Sequence, residues 1–408
     1  MLNTRLKVLG VLGSLLLAFG AGAYFGLSHS LHSWAQAQTL GGVQPTDVDM
    51  SQFWQAYQLL NQNFVVTHAS STFPAKQEQV YGAIAGLTAS FGDPYTTFFP
   101  PAEAKIFQDD IKGSFGGVGM QIDNDAKGNI VVVAPLKDSP SQKAGIHSGD
   151  IVLKIGATST AGMVADQAVK IIRGPIGTTV TITVARQGET KPLVFDIVRD
   201  TINIPIIETK KLDNGIFKIS LYSFSENSTD LFRGALREFV QSGDHKLLLD
   251  LRGNPGGYLD AAVEMASYFL PIGAPIVTED YRGKQGNNTH RSLGYNVFAN
   301  DPQFKMAILI DQGSASASEI LSGALQQNNV AKLVGTRSFG KGSVQELMDL
   351  GNGAQLKVTI ARWLTPNGSS ISDGGLHADI EATTTAELAR DPAKDPQVQA
   401  AVNYLLGR

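Results

Sequence analysis

The sequence predicts a multidomain α/β protein: a helical N-terminal region, a β-rich middle domain, and an α/β core built on a mainly parallel sheet. Three observations carry this. From Phe53 to Phe64 apolar residues recur three or four apart, the spacing of one helix face. From Gly113 to Val198 short strand patterns are separated by glycine turns. Beyond Thr201 apolar strands alternate with amphipathic helices, the order that builds a parallel sheet. With 408 residues and 43% hydrophobic content, the chain can bury two or more cores.

Composition excludes several functions. Basic residues number 33 against 37 acidic, so no electrostatic case exists for nucleic acid. The absence of cysteine removes disulfides, thiol catalysis and cysteine-held metals. The histidines occur without an HExxH pair, and no GxSxG elbow is present. Gly335–Lys341 spells GTRSFGK, a phosphate-loop pattern as far as its lysine. Gly342 then stands where Ser or Thr should hold magnesium, and a strand follows where a helix is required. No metal, nucleotide or other cofactor is expected.

The N-terminus indicates the compartment. Arg5 and Lys7 precede an uncharged run from Val8 to Leu27, and the next formal charge is Asp47. Twenty helical residues span about 30 Å, enough for a bilayer core, and basic residues in front place the remainder outside the cytoplasm. Two readings stand: an uncleaved anchor, which the length of the run favours, or a signal peptide cut near Ala35-Gln36-Ala37. Either way residues 1–37 form this segment and the body is exported.

Residues 38–112 read as a tether and paired helices, the second stopped by Gly92-Asp93-Pro94, with aromatic stripes expected in an intramolecular core. Residues 113–199 form the middle domain. Gly116, Gly117, Val118 and Gly119 precede a strand that begins at Met120, and SPSQKAG and SGDIV follow. This order resembles a PDZ domain, whose glycine loop offers N–H groups to a terminal carboxylate while the peptide adds a strand to the sheet. Arg173 reads either as a solvated charge or as a contact to the core.

In the core, residues 200–385, the LLLD strand ends in RGNPGG and the AILI strand ends in DQGSAS. Sites in such sheets form beyond the carboxyl ends of strands, so both loops fall where a site belongs. Ser316 begins a helix, where unpaired N–H groups favour negative charge, and the Ala317 amide can serve as an oxyanion donor. Lys341 returns after one helix and one strand, flanked by Gly340 and Gly342. We read the two as nucleophile and general base. The plainer readings are a capping box of Ser316 with Glu319 and a surface lysine in a hairpin. A lysine base needs its pKa lowered by burial, and a neutral Gln345 on the same strand face can orient the amine without restoring its charge. Asp250 and Arg252 read as structural supports of the glycine turn. Residues 386–408 close the chain with a helix.

GSASASEI, GALQ, SFGKGSVQ, GDPYTTFFPPAEA and DLRGNPGG, together with the PDZ-like segment, resemble the carboxy-terminal processing, or tail-specific, proteases from about Tyr57 to Ile380. The resemblance implies a serine protease core in which Ser316 is the nucleophile, Lys341 the base, and Gln345 the residue that positions it. Ala317 and either Gly256 or Gly257 would supply the oxyanion amides, and IRG-P would bring Arg173 to the protease body. Ala378 stands where the pattern expects proline, which bears on a local turn. The implied partners are polypeptides with apolar C-terminal tails, the membrane through the N-terminal segment, a second copy of the chain, and a regulatory or adaptor protein. The alternative of another class is an inactive PDZ scaffold that binds C-termini, which an intact Ser316, Lys341 and Gln345 set argues against.

Overall fold

The computed structural model describes residues 47–67, 73–112, 114–125, 127–136, 138–203, 206–385, 388 and 393–408. The expected anchor or signal segment lies outside them, and among the described residues no helix is long and apolar enough to cross a membrane. The chain divides into two compact units at Ala75/Lys76. In the first, α1 (Ser51–Asn63) buries none of its residues. Its stripe was expected in an intramolecular core. Instead Phe53, Trp54 and Tyr57 meet edge to face along the helix itself, and Trp54 is 54% exposed.

The second unit opens with α2 (Lys76–Ala89), the short β1 (Thr97–Phe99) and α3 (Pro101–Lys112). The middle domain then begins with β2 (Ser114–Gly117), β3 (Met120–Asn124) and β4 (Ile130–Pro135). It continues through α4 (Pro140–Ala144), β5 (Ile151–Ile155), β6 (Thr158–Ser159) and α5 (Ala165–Ile172). It closes with β7 (Thr179–Ala185), β8 (Leu193–Val198) and β9 (Asp200–Asn203). Strands β3-β4-β5-β7-β8 form an antiparallel sheet over a core that includes Ile130, Val152, Ile182 and Ile197. Strands β2 and β9 pair antiparallel, so the chain enters and leaves this domain side by side. Gly116 lies within β2 and not in an open loop as expected. A Cβ there would sit 2.3 Å from the Gly174 carbonyl oxygen, so only glycine permits the approach.

The core follows. Its first strands are β10 (Ile207–Leu212) and β11 (Ile216–Leu221), then α6 (Ser228–Gln241), β12 (Lys246–Asp250) and α7 (Leu259–Ser267). Next come β13 (Pro275–Asp280), β14 (Asn288–Arg291), β15 (Lys305–Ile310), α8 (Ala317–Gln327) and β16 (Ala331–Gly335). The hairpin β17 (Ser343–Gly351) and β18 (Ala354–Leu364), then β19 (Ile380–Glu381) and α9 (Pro396–Leu406), complete it. The main sheet runs β10-β11-β12-β15-β16-β19, parallel throughout except at the β10–β11 edge.

Its apolar runs divide by strand alternation. Leu247, Leu249, Met306 and Ile308 face α6, α7 and α8, whereas Leu248, Ala307 and Leu309 face α9. A second, antiparallel sheet packs beside it in the order β1-β18-β13-β14, with β17 also on β18. Residues 97–99 thus belong to the core and not to the N-terminal helical region, because β18 offers them a partner. The PDZ-like domain is inserted between two parts of one core.

Leu405 of α9 is fully buried against the main sheet. Leu405→Ala is expected to lower unfolding stability by about 2–5 kcal/mol, measured by chemical denaturation.

Candidate active site

Strands β12, β15 and β16 are neighbours and parallel, so the loops leaving their carboxyl ends lie side by side. These loops are RGNPGG, DQGSAS and TRSFGK, and hydrogen bonds join them. Asp311 Oδ1 accepts the N–H groups of Gly253 and Gly313, both at 2.9 Å. The Ser314 hydroxyl donates to the Leu251 carbonyl at 2.8 Å. The Asn254 carbonyl accepts the Ala315 N–H at 3.0 Å and the Ser318 hydroxyl at 2.9 Å. Phe339 N–H reaches the Ser314 carbonyl at 3.0 Å, which ties the third loop to the second.

Ser316 sits at the head of α8 with φ 55° and ψ −115°. Such a conformation costs a residue with a Cβ about 1–3 kcal/mol and persists only where the surroundings enforce it. The enforcement is visible. A Cβ on Gly256 would lie 2.8 Å from Ser316 Cβ and 2.9 Å from Ala317 N, so the glycine turn presses against the serine with nothing between. Ser316 stands at the N-cap of α8 and the Glu319 half of its capping box is in place, as the plainer reading has it, while its own hydroxyl makes no capping hydrogen bond.

The cap comes from the other partner. Glu319, fully buried, accepts the Ser316 N–H on Oε2 at 2.8 Å, and the same oxygen accepts the Lys341 N–H at 3.0 Å. Its Oε1 accepts the Gly340 N–H at 2.7 Å and the Ser338 hydroxyl at 2.6 Å. One carboxylate oxygen therefore holds the backbone amides of both candidate residues. Burial pushes the Glu319 carboxyl up, while the four donors favour its ionised form.

Burial also lowers the pKa of Lys341, and the attraction of Glu319 partly opposes that shift. The carboxylate near the amine is thus Glu319, whereas Glu346 is exposed. The amine lies 5.6 Å from the centre of the Tyr95 ring. No hydrogen bond joins Lys341 Nζ to Ser316 Oγ in this arrangement. Gln345 shares the face of Ser343, as alternation predicts, but its amide donates to Ser343 Oγ at 2.6 Å and to Thr359 Oγ1 at 3.4 Å, not to Lys341.

The profile of Peptidase family S41 matches residues 215–382, and that of the PDZ domain matches residues 107–185. Over 386 residues the chain is 32% identical to carboxy-terminal processing protease CtpB of Bacillus subtilis (strain 168), covering 93% of this chain and 78% of that one. The carboxy-terminal-processing protease of Bartonella bacilliformis is 36% identical over 368 residues, covering 89% and 81%. The chain belongs to peptidase family S41. Among solved structures, the photosystem II D1 C-terminal processing protease aligns with a TM-score of 0.52 at 26% identity, covering 82% of this chain and 87% of that one. This S41 peptidase is a carboxy-terminal processing serine peptidase with a PDZ domain.

Ala317 N–H has no acceptor among the described residues. The glycine pair separates into two roles. Gly256 N–H donates to Asn254 Oδ1 at 2.9 Å, and its carbonyl accepts the Phe224 N–H. Gly257 sits opposite Phe224 in an isolated bridge that uses the Gly256 carbonyl and the Tyr258 amide, and among the described residues the Gly257 N–H has no acceptor.

The PDZ domain holds a cavity of about 360 Å³, lined by Gly117, Val118, Gly119 and Met120 on one side and by Val169, Ile172 and Arg173 of α5 and its end on the other. The amides of Val118 and Gly119 have no acceptor among the described residues, as a carboxylate-binding loop requires. Of the loop residues expected here, Gly116 does not line the cavity.

Sequence reasoning missed three participants: Glu319 as a tie between two loops, Asn254 as the clasp of the glycine turn, and Tyr95 beneath the lysine. Only the S-x-x-E spacing at Ser316 signalled any of them, and it looked like an ordinary cap. Glu319→Gln places an amide NH₂ where only acceptors fit. It is expected to cost about 1–3 kcal/mol of stability and at least ~10-fold in kcat, checked by thermal melts and peptide cleavage.

Proposed function

We propose that this S41 peptidase is an exported, membrane-tethered endopeptidase that uses a Ser316–Lys341 dyad to cut polypeptides recognised by their C-terminal tails. The observation that carries the dyad is the single Glu319 oxygen shared by the Ser316 and Lys341 amides. Arg5, Lys7 and the uncharged run behind them support the tether and the exported body. The exposed aromatic stripe of α1 supports self-association, and an adaptor protein remains compatible with the PDZ groove.

A tail enters the PDZ cavity with its carboxylate on the Val118 and Gly119 amides and an apolar last side chain against Val169 and Ile172. Lys341 Nζ leaves the Tyr95 ring and, as a neutral amine, accepts the Ser316 proton while Oγ attacks a backbone carbonyl. The amides of Ala317 and Gly257 receive the developing oxyanion. The C–N bond breaks, the leaving amine takes the proton from Lys341, and an ester to Ser316 remains. Water then attacks that ester with Lys341 again as base. Tail binding shifts the PDZ domain on its β2–β9 ribbon and brings the amine to the serine.

Incubation with an unstructured peptide ending in apolar residues tests the dyad. The parent chain cleaves it, and Ser316→Ala and Lys341→Ala each lose at least ~10³-fold in kcat. Equal cleavage by all three removes the dyad, and cleavage by none leaves the inactive scaffold. Because the neutral amine is the active form and burial lowers its pKa, the rate should rise with pH to a plateau, with a midpoint below the ordinary 10.5 of lysine. Deleting residues 113–198 should lower the rate and abolish the preference for the tail sequence, measured on matched peptides.

A further inference from the structure

The S41 match ends at residue 382, yet chain beyond it reaches back to the loops of the site. Asp395, fully buried, caps α9 by accepting the Gln397 N–H at 3.0 Å. Its other oxygen receives Arg252 Nη1 at 2.6 Å, and Gln397 Oε1 receives the same nitrogen at 2.9 Å. Arg252 Nε and Nη2 each donate to Asp250 at 2.8 Å, and Lys218 Nζ also meets Asp250 at 2.8 Å. Two cations and two carboxylates thus close on one another where every side chain is 12% exposed or less. A guanidinium is a rigid planar fork, so acceptors on two sides fix its orientation as well as its position.

Arg252 opens the glycine turn. Two residues on, the fully buried Asn254 donates to the Leu221 carbonyl at 2.8 Å and accepts the Gly256 N–H at 2.9 Å. Gly256 in turn abuts Ser316 Cβ and the Ala317 amide with no room for a methyl group. Short contacts, joined between Arg252 and Asn254 by the backbone of the turn itself, therefore connect the head of the C-terminal helix to the nucleophile's neighbour.

We propose that Asp395, acting through Arg252, is a positioning residue for the oxyanion turn, so that the segment after the family core sets the register of Gly256 and Gly257 against Ala317. This rests on the reading of the Gly257 and Ala317 amides as oxyanion donors. Without the Asp395 charge, Arg252 and Lys218 share one carboxylate, and the guanidinium relaxes by turning from the loop it anchors. Oxyanion donors tolerate little displacement: one lost donor costs about 10²–10³ in kcat.

A purely structural role for α9 predicts something else, and Leu405→Ala separates the two. Leu405 lies on the same helix, buried against the sheet, with no bond to the ion network. The full chain and its Asp395→Asn, Asp395→Glu and Leu405→Ala variants are compared below their melting onsets on a peptide with an apolar tail. The backbone amide resonances of Gly256, Gly257 and Ala317 are followed in ¹⁵N-glycine- and ¹⁵N-alanine-labelled protein. Asp395→Asn is expected to lower kcat at least ~10-fold with KM within twofold and to shift the two glycine amides, with Asp395→Glu recovering part of kcat. Leu405→Ala is expected to melt earlier yet keep kcat within twofold and leave those amides in place. The proposal is overturned if folded Asp395→Asn keeps its kcat, if its glycine amides do not move, or if Leu405→Ala loses kcat equally. Should the parent chain cut no peptide, the dyad reading fails, and the amide shifts still decide whether Asp395 positions the turn.

Discussion

A buried carboxylate with every acceptor site occupied holds this site together. Taking Glu319 out of water costs several kcal/mol unless hydrogen bonds replace the lost hydration, and three backbone amides and one hydroxyl do so. Two of those amides belong to residues on different loops, so the charge that α8 requires at its first turn also fixes the distance between the loops. The helix is thereby capped from within, and the Ser316 hydroxyl makes no capping hydrogen bond among the described residues. Local helix physics and the geometry of the site are satisfied by one side chain.

The arrangement of domains follows a similar economy. The PDZ sheet is inserted after α3, whose Phe107 stacks on Phe99 of β1 at 4.8 Å, and β1 lies on β18, the second arm of the hairpin that follows Lys341. Lys357 of β18 lies over both of those rings, at 5.4 Å and 5.2 Å. The segment that joins the PDZ domain to the core is thus held by stacked rings and paired strands. Tyr95, which sits under the Lys341 amine, precedes β1 by two residues. Along the chain, α3 and β1 alone separate the β2–β9 ribbon from that ring.

Much of this was legible in the sequence because the signals are local. The continuous LLLD and AILI runs mark strands covered on both faces, and the alternation of Leu247, Leu248 and Leu249 between two cores shows why no polar residue interrupts them. The glycines around Ser316 and Lys341 were legible for the same reason. What was not legible depends on distant partners. Three residues just before Pro100 do not look like a strand until β18 receives them. Glu319 carries a short cap signal, whereas its bonds to Gly340 and Lys341 come from across a helix and a strand. Gln345 was read as the residue that orients Lys341, but the Ser343 hydroxyl takes its amide instead.

The backbone of Ser316 carries a wider consequence. Its positive φ is one that glycine adopts without strain, so the fold holds a standing tension at the residue proposed as the nucleophile. Selection for stability alone would erase that side chain.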